Sequence, residues 1–381
     1  MKLLFISNYL NHHQKFVSSS LNECCEDYRF IVISEISEMR RKLGYTEVNE
    51  PYVCKVQDMD DRVLHNADVV VIGSAPHSII KPVKRDKLIF YYAERPLKQK
   101  LTFPKFVYRF FRWRLDNIGV KRLYMLCASA YTAADFAKFG LYRKTSYKWG
   151  YFPETKHYDI DSLLCEKSPV DILWCGRFLD WKHPDYAVRA AKLLKDDGYS
   201  FRLTVIGNGE MNEELLSLTK ELELSDCVSV LGSLPPEQVR VKMEKSGIFL
   251  FTSDRKEGWG AVLNEAMNSG CAVVASHIAG STPSLVTDRE NGLIYRSGDV
   301  DSLYRRIKYL LDHPGEQKRM GRAAYYSIVD LWNAETAAKR LVALSQAILN
   351  GQSSPDIFSS GPCSRAEVLS DDWFKEENIS G

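Results

Sequence analysis

The chain lacks three features that would each narrow its reading at once. It has no C-x-x-C pair among its nine cysteines, and Cys24 and Cys25 are adjacent, which suits neither a zinc site nor a disulfide framework. The cysteines read as reduced, mostly buried thiols. No apolar run approaches the roughly 18 to 20 residues that a membrane span needs. Net charge is also nearly absent: 51 Lys and Arg stand against 49 Asp and Glu, a formal +2, whereas nucleic-acid binders usually show a strongly basic face in the total. A charge-driven partner must act through a local patch. The opening "MKLLFISNYLNHHQ" has a short apolar run but no small-residue cleavage site, and polar residues arrive by Ser7, so it reads as a first strand and not as a leader. The expectation is a cytoplasmic protein, at most peripheral to the inner face of the plasma membrane.

What is present is ample apolar material, 45% of 381 residues. One core usually stops growing below that length, so two domains are expected. Short runs rich in β-branched and aromatic residues alternate with helical patterns: "KLLFI", "YRFIVIS", "DVVVIG", "KLIFYYA" and "LYMLCAS", then "VDILWCG", "FRLTVIG", "VSVLG", "GIFLFTS" and "CAVVAS". Continuous apolar strands separated by helices are the mark of parallel sheets covered on both faces. The polar stretch 150–170, with Pro153 and Pro169, reads as a linker. The organisation expected is a first domain over 1–155, completed by a helix at 333–350, a second over 165–331, and a flexible Ser-, Gly- and Pro-rich tail over 351–381.

Two strand-loop-helix units of the second half carry chemistry. In "DILWCGRFLDWKHPDYAVRAAKLL" the strand ends at Cys175 or Gly176, Arg177 follows, and Lys182 comes five residues later, before a helix. The carboxyl end of a parallel strand is where ligands bind. A guanidinium fork beside a mobile ammonium suits a diphosphate; two ordinary surface cations are the other reading of the pair. In "KEGWGAVLNEAMNSGCAVVAS" Glu257 precedes a Gly258-Trp259-Gly260 turn and Glu265 lies inside a helix, in what reads as its second turn. Glycine-flanked backbone N–H groups at a helix start favour an anion. Carboxylates only accept hydrogen bonds and can hold two neighbouring hydroxyls. Two carboxylates beside a phosphate site therefore suggest a diol-bearing ring on each side of a diphosphate, as in a nucleotide sugar. Taken singly, Glu257 also reads as a cap and Glu265 as a surface residue.

These residues carry a resemblance. "EGWGAVLNEAMNSGCAVVAS" resembles the Glu-x7-Glu motif of the retaining family 4 glycosyltransferases, and "GRFLDWK" their Gly-Arg plus Lys diphosphate motif, with "VIGNGE", "VSVLGSLPPEQV" and "NGLIYRSGD" following in the same order over about 170–300. The resemblance implies a GT-B fold, two facing doubly wound Rossmann-like domains with a cleft between them, the donor on the second and the acceptor on the first. By position it gives Arg177 and Lys182, beside Gly176, to the diphosphate, Glu265 to the ribose and Glu257 to the transferred sugar. Backbone donors would come from Gly258, Trp259 and Gly260. Gly207, Gly209 and Leu234 would border the base. It further implies retention of configuration, a UDP-sugar as first candidate donor, transfer of a hexosyl or N-acetylhexosaminyl group to a glycan or lipid-linked hydroxyl, and no metal or other cofactor.

The first half departs from the family pattern. Its first strand is followed by "SNYLNHHQ" where many members have a glycine-rich turn. Asn11, His12 and His13 are candidate acceptor contacts, with a helix N-terminus bearing a surface histidine as the other reading. Where members often place a histidine after the fourth buried strand, this chain has "AERPLK", which makes Glu94 the local candidate. From Arg95 to Arg122 nine Lys or Arg face one acid, Asp116, among Phe103, Phe106, Tyr108, Phe110, Phe111 and Trp113. On a helix Lys105, Arg109, Arg112 and Asp116 would form one polar stripe, which fits either an anionic membrane surface or a helix packed on the first sheet. The acidic run Asp58–Asp61 contains an Asp-x-Asp pattern but reads as a solvated turn, so no metal site is expected. A nucleotide-sugar-binding subunit without activity and another GT-B enzyme, such as an epimerase, are the rival functions. A dehydrogenase fits worst, because Gly-x-Gly-x-x-Gly is missing after the first strand.

Overall fold

The computed structural model describes residues 1–36, 38, 48–58, 61–74, 87–99 and 101–376. The chain forms two compact units, the first comprising Met1–Glu154 and Trp332–Ser370, the second Thr155–Leu331 with the segment from Asp371 on.

The first unit is built on a sheet of β1 (Lys2–Ser7), β2 (Asp27–Val32), β3 (Val53–Lys55), β4 (Val69–Ile72), β5 (Leu88–Ala93), β6 (Arg122–Cys127) and β7 (Ser146–Lys148). Its order is β3-β2-β1-β4-β5-β6-β7, parallel at each pairing. All four residues of β4 are buried, as expected of a strand covered on both faces. Helix Ala334–Leu349 packs beside helix His12–Cys24 in this unit.

The second unit holds β8 (Ser168–Cys175), β9 (Arg202–Ile206), β10 (Val228–Leu231), β11 (Ser246–Phe251), β12 (Ala272–Ser276) and β13 (Leu293–Tyr295), in the order β10-β9-β8-β11-β12-β13. All its pairings are parallel too. Helix Pro184–Asp196 buries Ala187, Val188, Ala190, Ala191 and Leu194, the i, i+3, i+4, i+7 stripe of a helix lying on a sheet. In both units the strand order reverses beside the first strand, which opens a crevice at the carboxyl ends of β1 and β4 and of β8 and β11.

Two expectations differ from the structure. The stretch 150–170 is not all linker: Ile160–Glu166 is a helix whose Ile160, Leu163 and Leu164 are buried with Tyr325. Nor is the segment after Gly351 loose. Tyr147 Oη donates to the Pro355 carbonyl at 2.9 Å, Tyr147 forms a bridge with Arg365, and Cys363 and Ser364 are buried. Farther on, Trp373 Nε1 donates to the His277 carbonyl at 3.3 Å, and Glu376 reaches Ser302 Oγ at 2.7 Å and Arg306 at 3.7 Å. A Ser-, Gly- and Pro-rich composition predicts mobility only where no side chain anchors the strand, and here aromatic and charged anchors recur. Residues 377–381 of the expected tail lie outside the described residues.

Candidate functional site

The carboxyl ends of β8 and β11 are tied together by a few polar contacts. Thr252, buried just past β11, receives Trp174 Nε1 at 2.7 Å and turns its own hydroxyl toward the carbonyls of Lys182 and His183, at 2.7 and 2.9 Å. Asp254 N donates to the Trp181 carbonyl at 2.8 Å, and Lys256 Nζ to Asp180 Oδ2 at 3.1 Å. The turn Asp180–Lys182 is thereby fixed against the loop that leads to Glu257.

That attachment brings two of the expected residues into contact. Lys182 Nζ lies 2.5 Å from Glu257 Oε2, and both side chains are largely buried. The same Oε2 accepts from Ser253 Oγ at 3.0 Å. Arg177, by contrast, is exposed and forms no ion pair among the described residues. The two cations assigned together from spacing are thus in different states, one compensated and held, the other open to solvent.

The Gly258-Trp259-Gly260 turn is anchored from within. Trp259 is fully buried and its Nε1 donates to Asn264 Oδ1 at 2.8 Å, so only its backbone can serve a ligand. Gly260 has φ +86, and a Cβ there would lie 2.3 Å from Phe251 Cζ. The following helix is Val262–Asn268, which puts Glu265 in its first turn and not its second. The Glu265 carboxylate is near Cys175: burial, and after it the charge of Glu265, push that thiol up to about 12, while Lys182 pulls the other way.

The loop after β9 closes on the loop after β8. Phe178 N donates to the Asn208 carbonyl at 2.9 Å and Met211 N to the Phe178 carbonyl at 3.1 Å. A Cβ on Gly207, at φ +153, would fall 1.8 Å from the Gly176 carbonyl oxygen, which explains glycine at that position by close backbone approach. Gly209 approaches the Phe178 carbonyl in the same way. Leu234 is half-buried in the turn after β10.

In the first unit the expected residues form their own cluster. Asn11 is the N-cap of helix His12–Cys24: its Oδ1 accepts from His13 N at 3.0 Å and Gln14 N at 3.1 Å, which commits that oxygen to the helix. His12 is exposed. His13 stacks on Tyr151 at 5.5 Å between ring centroids, and the Tyr151 hydroxyl donates to Glu94 Oε1. Lys98 holds the other oxygen of Glu94. Tyr151 and Ser253 are members of these clusters that spacing alone did not single out. Sequence gives no signal for either except position: each lies just beyond a strand end. Asp60, within the acidic run Asp58–Asp61, lies outside the described residues.

Residues 159–326 match the family model described as glycosyl transferases group 1. The amylovoran biosynthesis glycosyltransferase AmsK of Erwinia amylovora is 31% identical over 185 residues, which cover 47% of this chain and 45% of AmsK. The chain spans about half the length of the curated relatives it matches. Among solved structures, the lipopolysaccharide outer core galactosyltransferase WaaB superposes with a TM-score of 0.68 at 15% identity, covering 92% of this chain and 100% of WaaB. Anabaena Alr3699/HepE in complex with UDP gives 0.65 at 14% identity, covering 91% and 100%. Residues 159–326 are therefore similar to a glycosyl transferases group 1 domain, in a chain whose two parallel-sheet α/β units have the GT-B fold.

Proposed function

We propose that the chain is a retaining family 4 glycosyltransferase. It would move a hexosyl or N-acetylhexosaminyl group from a nucleoside diphosphate sugar, a UDP-sugar first among candidates, to a hydroxyl of a glycan or lipid-linked acceptor in cell-envelope polysaccharide or glycolipid synthesis. The observation that carries the reading is the Lys182–Glu257 pair at the strand-order reversal of the second unit. A lone ammonium there would serve any anion. An ammonium held by a carboxylate, with an open guanidinium at Arg177, presents donors for phosphate beside an acceptor for sugar hydroxyls. The amylovoran in the name of AmsK, the UDP in complex with HepE and the lipopolysaccharide outer core in the name of WaaB support the substrate classes.

In the reaction the bond between the sugar C1 and the diphosphate oxygen breaks and one between C1 and the acceptor oxygen forms on the same face. The acceptor proton passes to the departing phosphate. Charge growing on that phosphate is met by Arg177, by the Lys182 N–H bonds that Glu257 leaves over, and by backbone N–H groups at Gly258–Gly260. Fixed donors of this kind stabilise a transition state without reorganising. Glu257 Oε2 is engaged by Lys182 and Ser253, so Oε1 is the oxygen for a sugar hydroxyl, and Glu265 takes the ribose. No metal enters this scheme. The test is thermal-shift binding against a panel of nucleotide sugars, followed by transfer assays with the donor that binds, with and without a chelator. Binding of no nucleotide sugar would overturn the reading. Loss of transfer on chelation would overturn its metal-free form, and binding with no transfer to any glycan or lipid acceptor would favour a subunit without activity.

A further inference from the structure

Helix Phe103–Asp116 has two apolar faces, and only one is used by the fold. The inner face packs on the first unit: Phe106 stacks on Phe139 at 4.7 Å, and Trp113 lies 5.1 Å from Phe136 and 4.7 Å from Phe139. The outer face carries Tyr108, Phe111 and Leu115, which are 61%, 60% and 65% exposed. Spaced i, i+3, i+7, they fall within an arc of about 60° on a helix of about 100° per residue. Phe103 and Ile118, at 79% and 71% exposed, extend the apolar surface at either end. An ordinary helix on a domain surface turns charge outward, and a contiguous exposed apolar stripe marks a surface that something covers.

The charges around the stripe identify what covers it. Between Phe103 and Arg122 six cations stand against the single carboxylate of Asp116, in a chain otherwise nearly neutral. Lys105 and Arg112 are exposed along one edge, and Arg112 reaches the Tyr108 hydroxyl at 2.8 Å. Lys121 and Arg122 are exposed just past the helix. Arg95, counted with this basic run from the sequence, is not part of the surface: it is buried with Asp135 at 3.2 Å. An apolar ridge lined by long cationic side chains, with an aromatic hydroxyl at its border, matches the layering of a bilayer surface, where chains enter the acyl boundary and cations reach lipid phosphate. Among the described residues no helix is long and apolar enough to cross a membrane, so the helix would lie in the interface plane.

We infer that the outer face of helix Phe103–Asp116 is a docking surface for an anionic lipid bilayer, with Tyr108, Phe111 and Leu115 inserted and Lys105 and Arg112 on the phosphates. The inference is independent of the reaction proposed above. The test is flotation of the full chain with vesicles of phosphatidylcholine alone and with roughly one-third phosphatidylglycerol. Two variants accompany it, Tyr108→Ser/Phe111→Ser/Leu115→Ser and Lys105→Glu/Arg112→Glu. All these side chains are exposed, and circular dichroism checks that the fold is kept. The chain should float with the anionic vesicles and less with phosphatidylcholine alone, and each variant should lower the bound fraction at least tenfold. Failure to float with anionic vesicles at low salt would overturn the inference, as would binding unchanged in both variants. A self-associated form in sedimentation velocity that Phe111→Ser dissolves, without lipid binding, would reassign the face to a second copy.

Discussion

Lys182 and Glu257 form an ion pair of 2.5 Å in which neither side chain is more than 13% exposed. Breaking a buried pair leaves one uncompensated charge, at a cost on the order of 3 kcal/mol. Lys182→Met and Glu257→Gln should each destabilise the protein, while the double variant should be less destabilised than the sum of the two. Urea unfolding of the four proteins checks this, and strict additivity would mean that the pair contributes no coupling. On the proposed reaction, transfer should also fall by at least ~10² in Lys182→Met, through lost stabilisation of the leaving phosphate.

Arg177 separates the two effects, because its side chain is exposed and forms no ion pair among the described residues. Arg177→Ala should leave the thermal midpoint within about 1 °C of the parent, as surface substitutions do, and lower transfer by at least ~10². A near-normal transfer rate in the purified protein would remove the proposed diphosphate role from this residue.

Gly207→Ala should be among the most damaging small substitutions in the chain. The added carbon would sit 1.8 Å from the Gly176 carbonyl oxygen at φ +153, so the two loops that border the proposed base must separate. A stability loss of about 2–3 kcal/mol is expected, with nucleotide affinity falling further than stability alone explains. Paired thermal-shift and titration measurements test both parts.

Removal of residues after Ser370 should destabilise the second unit. Arg306 is wholly buried beside the carboxylates of Asp288 at 3.9 Å and Glu376 at 3.7 Å; the cut takes away Glu376 together with Trp373 and Phe374. A loss on the order of 3 kcal/mol is expected. Glu376→Gln in the full chain keeps the segment but removes the charge, so it should reproduce most of the loss; full stability in that variant would assign the loss to the packing of Trp373 and Phe374.

His13 should make stability depend on pH. Burial, and after it the charge of His12, lowers His13 to about 3. The unfolded imidazole protonates near about 6.5, so below that pH the unfolded state binds more protons than the folded one. Stability is then full above about pH 6.5 and is lost as pH falls toward the folded value. His13→Asn should flatten the fall between pH 6.5 and 4.5 in denaturant titrations, and an unchanged slope would place its origin elsewhere.

The sequence already shows most of the architecture, for a definite reason. Ten strands are continuous apolar runs, whereas β3, β7 and β13 are three residues each, too short for any periodicity to register, and go unseen. The candidate residues Arg177, Lys182, Glu257 and Glu265 stand out in the sequence because they hold fixed spacings from strand ends. Their pairing was not, since it depends on a threonine hydroxyl that ties together turns 70 residues apart. The same holds for Arg95 and Asp135, 40 residues apart, and for the inward course of the Trp259 indole. The position of Asn11 fits two roles, and the structure commits its Oδ1 to the helix cap.

The first unit is not contiguous in the chain. Helix Ala334–Leu349, which covers part of helix His12–Cys24, is made only after the whole second sheet, and Trp373, Phe374 and Glu376 of the second unit come later still. On the ribosome, then, neither unit can finish in the order it is translated. The early sheet must wait with an apolar helix face uncovered while the second is synthesised. That interval is where this chain is most open to aggregation and most in need of a chaperone.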